Sequence, residues 1–413
     1  MKEMLHHSFA LNEKESYFDT FKYFEELVEE ERDFVARGVK RKSRLRQQVP
    51  TIGTFFTSLP MERAFRFYDN KYAVTRRRHS APSFNEIRHT LNLAQIQGSG
   101  DSLRFISFDG DQTLYEDGGN FAHDSELSVA IRSLLTHGVY VALITAAGYG
   151  YEGPKYEQRL RGLLDGFASS KLDAESVGRF FVVGGECNYY MRCKKTDSVV
   201  NLVRVSDEMW AQSAPGPNPQ QWPEEDCQRI LDLAENSMKN SMEELRLRAR
   251  IIRKKRGLGI ISGGPESVAR VPNGHGSIKL KREALDEIAL RCHEVLSNAE
   301  PEVTLPWCCF NGGRDVWCDV GNKKVGVEVM QKLLGIKVEH CIHVGDQFLY
   351  SGNDYAAREV CPCIWITSPA ETQKILAHIL RALGLHAPEP PSYSESMEPP
   401  AQKPRTEGGY IQK

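Results

Sequence analysis

Four short apolar runs, each closing on polar residues, set the pattern of this chain: Leu103–Phe108, Val139–Ile144, Cys341–Val344 and Val360–Ile366. Each has the length and composition of a strand buried on both faces of a parallel sheet. Three stretches carry apolar positions at helical spacing: Ser125–Leu135, Val325–Leu334 and Thr372–Leu383. Gly138, Gly335 and Gly384 stand just past them as left-handed stops. Strands alternating with helices predict an α/β core built on a parallel sheet.

The flanking sequence differs in texture. In residues 1–100, Tyr17-Phe18, Phe21, Tyr23-Phe24 and Leu27-Val28 recur at helical spacing among acidic residues. Ser83 and Glu86 are spaced as a capping box opening a helix through Leu93. This part reads as a helical region. Residues 151–315 mix a helix at Tyr156–Leu164 with strands at Phe180–Val183 and Cys187–Arg192. A Pro-rich loop, Ala214–Pro223, and a long polar helix, Asp226–Lys255, follow. Strand or turn segments at Gly257–Gly264 and Val268–Val271 and a helix at Glu283–Leu296 complete it. It reads as an α+β domain inserted between two parts of the core, 101–150 and 316–385. Residues 386–413, rich in Pro, Ser and charge, read as a disordered tail.

Composition narrows the classes. The 413 residues carry 53 Lys and Arg against 55 Asp and Glu, so no basic field points to nucleic acid. No apolar run approaches the ~20 residues of a membrane span, and the start has no signal-peptide core. The ten cysteines form no paired zinc knuckles, so reduced buried thiols and a cytoplasmic location are expected.

The chemistry lies where the apolar runs end. Leu103–Phe108 stops at Asp109-Gly110-Asp111, and Val139–Ile144 stops at Thr145. Cys341–Val344 stops at Gly345-Asp346, with Asn353-Asp354 close behind, and Lys323 opens the helix between. Open α/β sheets bind ligands at the carboxyl ends of their strands. A magnesium ion wants oxygen ligands, which Asp109, Asp346 and the backbone carbonyl of Asp111 would supply. A phosphoryl group wants hydroxyl, lysine and N–H donors, which Thr145, Lys323 and the Gly110 turn would supply. Asp109 would attack phosphorus, while Asp111 would protonate the leaving alcohol and then deprotonate water.

Asp109-Gly110-Asp111-Gln112-Thr113-Leu114, Thr145, Lys323 and Gly345-Asp346 with Asn353-Asp354 resemble the four motifs of the haloacid dehalogenase superfamily. One departure is Gln112, which stands where the superfamily pattern DxDGT has Gly. The longer strings FISFDGDQTLYEDGGNF, LITAAGYGYEGPKYEQRLRGLL and HVGDQFLYSGNDYAAR resemble the IMP-specific 5′-nucleotidase family of fungi and some protozoa. The resemblance implies a Rossmann-like core with an inserted cap. It implies magnesium-dependent hydrolysis of inosine 5′-monophosphate, activation by ATP, and a cytosolic homotetramer. Carried over by position, Asp109 is the nucleophile and Asp111 the acid/base. Asp109, Asp111 and Asp346 would hold the metal, and Asp111, Asp117, Thr145, Asp319 and Lys323 would contact the nucleotide, with Lys324 a rival to Lys323.

The basic run Arg76-Arg77-Arg78-His79, with His89 on the following helix, is the candidate effector site, against the plainer account of a solvated basic face. Arg159 or Arg314 could donate to the hypoxanthine oxo group, and Trp317 or Tyr156 could stack on the base. A sugar-phosphate phosphatase or phosphomutase on the same core is a rival reading. A non-catalytic nucleotide sensor is another, although a scaffold has no need of the Asp109/Asp111 pair.

Overall fold

A computed structural model of the chain describes residues 4–5, 16–123, 125–213, 218–263 and 280–386. The expected Val268–Val271 segment, the start of the Pro-rich loop and nearly all of the tail lie outside the described residues.

The apolar runs become neighbours in one seven-stranded sheet, ordered β11-β10-β1-β2-β3-β4-β5. β1 (Phe105–Phe108) is central and parallel to β10 (Cys341–Gly345) and β2 (Tyr140–Ile144), with Phe105 opposite both Cys341 and Tyr140. β11 (Cys363–Trp365) and β3 (Phe180–Gly184) extend it in parallel. β4 (Tyr189–Thr196) and β5 (Val199–Arg204) add an antiparallel edge. All four residues of β1 are buried, which is why that run carries no in–out alternation. Shared register brings the carboxyl ends of β1, β2 and β10 to one edge. This is the Rossmann-like core with cap that the motif order implies.

A second sheet, ordered β6-β7-β9-β8, is antiparallel. Its strands are β6 (Ala249–Arg253), β7 (Gly257–Ser262), β8 (Trp307–Asn311) and β9 (Asp315–Val320). The helices Glu224–Glu244 and Arg282–Ser297 bury Ile230, Leu231, Ile288 and Ala289 against its Leu258, Val316 and Cys318. Side chains alternate along β9. Val316, Cys318 and Val320 join this core, so Asp315, Trp317 and Asp319 face the other way, toward the larger sheet.

This moves the expected domain limits. Residues 180–204 belong to the core sheet, and the cap sheet continues to Val320, so the insertion does not run from 151 to 315. The polar helix expected over Asp226–Lys255 ends at Glu244. Arg246 then takes a left-handed φ of 51°, and Ala249–Arg253 pairs with β7 instead. Arg and Lys favour helix in isolation, but a ladder partner for Ile251-Ile252 decides otherwise. Tyr156–Leu164 is two helices, Gly153–Arg159 and Arg161–Ser169, and the fourth apolar run keeps only three strand residues.

The first hundred residues are helical, with their own core of Phe21, Phe24, Leu27, Phe65 and Ile87. The Ser83/Glu86 capping box is present at the start of the helix Phe84–Ser99. That helix docks on the core: Arg88 Nη1 donates to the Trp365 carbonyl at 2.6 Å and pairs with Glu371 at 2.8 Å. Among the described residues no helix is long and apolar enough to cross a membrane.

Candidate active site

Asp109 follows β1, and its N–H donates to the Val344 carbonyl at 2.9 Å, which ties the turn to β10. A Cβ at Gly110 would fall 2.5 Å from the Tyr115 hydroxyl, so a larger residue there would have to displace that buried ring. Gln112 takes a φ of 58°, the left-handed conformation that suits the Gly of the superfamily pattern.

Beneath Asp109 lies a buried charge network. Lys323, fully buried at the start of the helix Lys323–Leu334, sits 2.7 Å from Asp109 Oδ1 and 2.6 Å from Asp354 Oδ1. His343 donates through Nε2 to Asp354 Oδ1 at 2.9 Å, leaving Nδ1 to accept from the Ser107 hydroxyl at 2.9 Å. The Gln347 N–H donates to Asp354 Oδ2 at 2.8 Å. Burial pushes the Asp109 carboxyl up to about 6, with Lys323 pulling against it. Burial also opposes ionisation of Asp354, but Lys323 and His343 outweigh it and hold that carboxyl well below its ordinary range. Lys323 stays protonated because Asp109 and Asp354 overcome the burial that disfavours its charge.

Asp109, Asp346 and Asp354 bring carboxylate oxygens within 4.8 Å of one another. Burial, with Asp109 and Asp354 nearby, pushes Asp346 up to about 8, and its Oδ1 is buried without a partner. Three hard oxygen donors crowded together, one of them orphaned, suit a small divalent cation. The Asp111 carboxylate stands apart from this cluster, so the ligand expected of that residue is its backbone carbonyl. Its Oδ1 accepts from the Gly118 N–H at 2.9 Å and from Arg159 Nη2 at 2.8 Å instead.

A cavity of about 530 Å³ opens over these groups between the two sheets. Asp109, Asp111, Asp117, Thr145 and Asp346 reach it from the core, and Asp315 and Trp317 from the cap. Thr145 is buried at the end of β2, and its hydroxyl accepts from the Ala147 N–H at 3.1 Å. Asp117 meets Arg314 of the cap at 3.1 Å, bridging the mouth.

Several expectations change. Asp319 is not on the cavity wall; it is buried at the root of β9 within 4.8 Å of groups on Glu186 and Cys308. Asp315, four residues earlier on the same face, is the acid that lines the cavity. Lys324 points away from the network and pairs with Glu359 at 2.6 Å, so of the two adjacent lysines it is Lys323 that meets Asp109. Tyr156 is buried, its hydroxyl accepting from the Tyr149 N–H at 3.0 Å, so it is packed and not placed to stack on a base. Trp317 lines the cavity with Lys254 4.2 Å above its ring.

The candidate effector residues separate. Arg76 and Arg78 are exposed, and Arg77 pairs with Glu86 at 3.0 Å. His89 is half-buried between Tyr68, at 3.2 Å, and Glu371, at 2.9 Å. It borders a narrow cleft with Lys71, Tyr72, Lys374 and His378.

The family model described as IMP-specific 5′-nucleotidase matches residues 2–376. This chain belongs to that family. The IMP-specific 5′-nucleotidase 1 of Eremothecium gossypii is 38% identical over 389 residues, spanning 90% of this chain and 89% of its own length. That of Plasmodium falciparum is 36% identical over 340 residues, 82% of this chain and 73% of its own. An IMP-bound structure of the Plasmodium falciparum IMP-nucleotidase superposes with a TM-score of 0.78 at 32% identity, covering 92% of this chain and 94% of that one. An ATP-bound structure gives 0.74 at 33% identity, covering 93% and 83%. The IMP-specific 5′-nucleotidases are phosphoric monoester hydrolases, so the chain is an enzyme.

Two further residues of this family member stand at the site without having been singled out from the sequence. Glu186 is fully buried on the β3–β4 turn at a left-handed φ of 46° and accepts from Asn353 at 2.9 Å. Burial pushes it up to about 7. His343 lies inside an apolar run, where it reads as one more strand residue. The available signal was its place two residues before Gly345.

Proposed function

We propose that this enzyme hydrolyses inosine 5′-monophosphate to inosine and phosphate through an aspartyl phosphate. The observation that carries the reading is Asp109 at a strand end, 2.7 Å from a fully buried lysine and facing the same cavity as Asp111. An Asp109 oxygen attacks phosphorus as the bond to O5′ breaks, and Asp111 delivers its proton to that oxygen. Water then attacks the phosphoaspartate, Asp111 takes its proton, and phosphate leaves. Lys323 and the Thr145 hydroxyl offset charge on the phosphoryl oxygens. Asp109 and Asp346, with Asp354 behind them, would hold a magnesium ion, which when bound neutralises phosphate charge. Trp317 offers an aromatic face to the base, and Asp315 and Asp117 offer acceptors for sugar hydroxyls.

We propose in addition that ATP acts at the cleft bordered by His89, where Tyr68 and Tyr72 meet Lys71 and Lys374. The cleft holds about 50 Å³, so its walls must part for a nucleotide. The ten cysteines, all free thiols, fit a reducing cytosol. A homotetramer belongs to the same reading and is checked by light scattering.

The test is a panel of nucleoside and sugar phosphates assayed with magnesium, with and without ATP. IMP should exceed AMP at least ten-fold in kcat/KM, and Asp109→Asn should abolish turnover while keeping the melting temperature. A better rate with a hexose phosphate favours the sugar-phosphatase reading, and turnover in Asp109→Asn removes the mechanism.

A further inference from the structure

Arg159, the last residue of the helix Gly153–Arg159, lies outside the four superfamily motifs, yet it is tied both to Asp111 and to the loop that follows it. Its carbonyl accepts the Phe121 N–H at 2.8 Å, closing the loop that runs from Tyr115 to Phe121. Its guanidinium crosses to Asp111, with Nη2 2.8 Å from Oδ1. The Gly118 N–H, presented from a left-handed φ of 69°, reaches the same Oδ1 at 2.9 Å. The guanidinium lies 5.0 Å over the ring of buried Tyr115, which limits its swing. Its Nε is buried with no partner, a desolvation cost this arrangement accepts to hold the plane where it is.

A carboxylic acid carries its proton on one oxygen at a time. With two donors on Oδ1, a proton on that oxygen would meet two N–H groups head-on. No donor among the described residues reaches Oδ2. From this we infer that Arg159 is the positioning residue for proton transfer: it saturates Asp111 Oδ1 and so commits Oδ2 to giving a proton to O5′ and taking one from water. The inference rests on the acid/base reading of Asp111 and goes beyond it.

The experiment uses leaving-group dependence. A nucleoside alcohol needs protonation as it departs, and a nitrophenolate does not. Arg159→Met, Arg159→Lys and Asp111→Asn are each assayed on IMP and on p-nitrophenyl phosphate. The ratio of the two rates in one preparation cancels any difference in folded fraction. Arg159→Met should lose about 10²-fold in kcat on IMP with KM changed less than about three-fold, and less than about ten-fold on the aryl ester. Arg159→Lys, keeping one donor, should recover part of the IMP loss. Equal losses on both substrates, or a rise in KM for IMP alone, overturns the inference. Asp111→Asn serves as the reference. If it shows the leaving-group dependence and Arg159→Met does not, the acid/base reading stands and the role of Arg159 falls. If Asp111→Asn shows none, the acid/base reading itself falls, and the inference with it.

Discussion

Gln112 holds a left-handed φ of 58° between Asp111 and Thr113. For a non-glycine residue that conformation costs about 1–2 kcal/mol. Glycine would relieve it and give back about 0.5–1 kcal/mol through the freedom of the unfolded chain. Gln112→Gly should therefore raise stability by roughly 0.5–1 kcal/mol with kcat nearly unchanged, read by denaturant melts and IMP turnover. A loss of stability would mean that the Gln side chain is itself held by the cavity wall it lines. Also at this scale, two adjacent lysines could not be separated by type. The one at the buried N-terminal turn of its helix meets two carboxylates, and the next projects 100° round the helix to the surface.

Between elements, the helices Phe84–Ser99 and Pro369–Ala382 are joined by Glu371, which receives Arg88 at 2.8 Å and His89 at 2.9 Å. Burial opposes the Glu371 charge, but these two partners outweigh it and hold the carboxyl well below its ordinary 4.5. A carboxyl depressed in the folded state adds stability that is complete above its unfolded value and fades as pH falls below it. The docking of the helical region should thus weaken below about pH 4.5, while Glu371→Gln should weaken it at neutral pH by roughly 2–3 kcal/mol, between exposed and fully buried pairs. Hydrogen exchange in Phe84–Ser99 reports it. Unchanged protection in Glu371→Gln would assign the docking to apolar packing and to the bonds of Arg88 and Asn92 with the Trp365 backbone.

Across the whole molecule, that same helix reaches the carboxylate cluster of Asp109, Asp346 and Asp354. Arg88 and Asn92 both donate to the Trp365 carbonyl, at 2.6 and 2.7 Å. The Trp365 indole N–H donates in turn to the Asp346 carbonyl at 2.8 Å. A nucleotide that moves His89 would shift its neighbour Arg88 and, through Trp365, the loop carrying Asp346. Trp365→Phe removes one hydrogen bond worth about 0.5–1.5 kcal/mol. It should raise the magnesium concentration for half-maximal activity by about two- to ten-fold and blunt the response to ATP. Magnesium titrations with and without ATP check this, and an unchanged ATP response would disconnect the two sites.

What the sequence determined by itself were features of local origin. Apolar runs too short for helices and buried on both faces marked β1, β2 and β10, and their abrupt polar ends named Asp109, Asp111, Thr145 and Asp346. Capping residues and left-handed glycines bounded the helices at Ser83, Gly335 and Gly384. What depends on partners distant in the chain was decided only by the tertiary structure. Pairing with β2 drew Phe180–Gly184 out of the supposed insertion and into the core sheet. Pairing with β7 turned Ala249–Arg253 from helix to strand. Position along β9 sent Asp315 to the cavity and Asp319 to its buried root, although the two share a face. The same holds for the ion pairs. Asp111 with Arg159, Lys323 with Asp354 and Arg88 with Glu371 lie 48, 31 and 283 residues apart. A charge seeks whichever opposite charge folding leaves beside it in low dielectric, and no spacing along the chain records that choice.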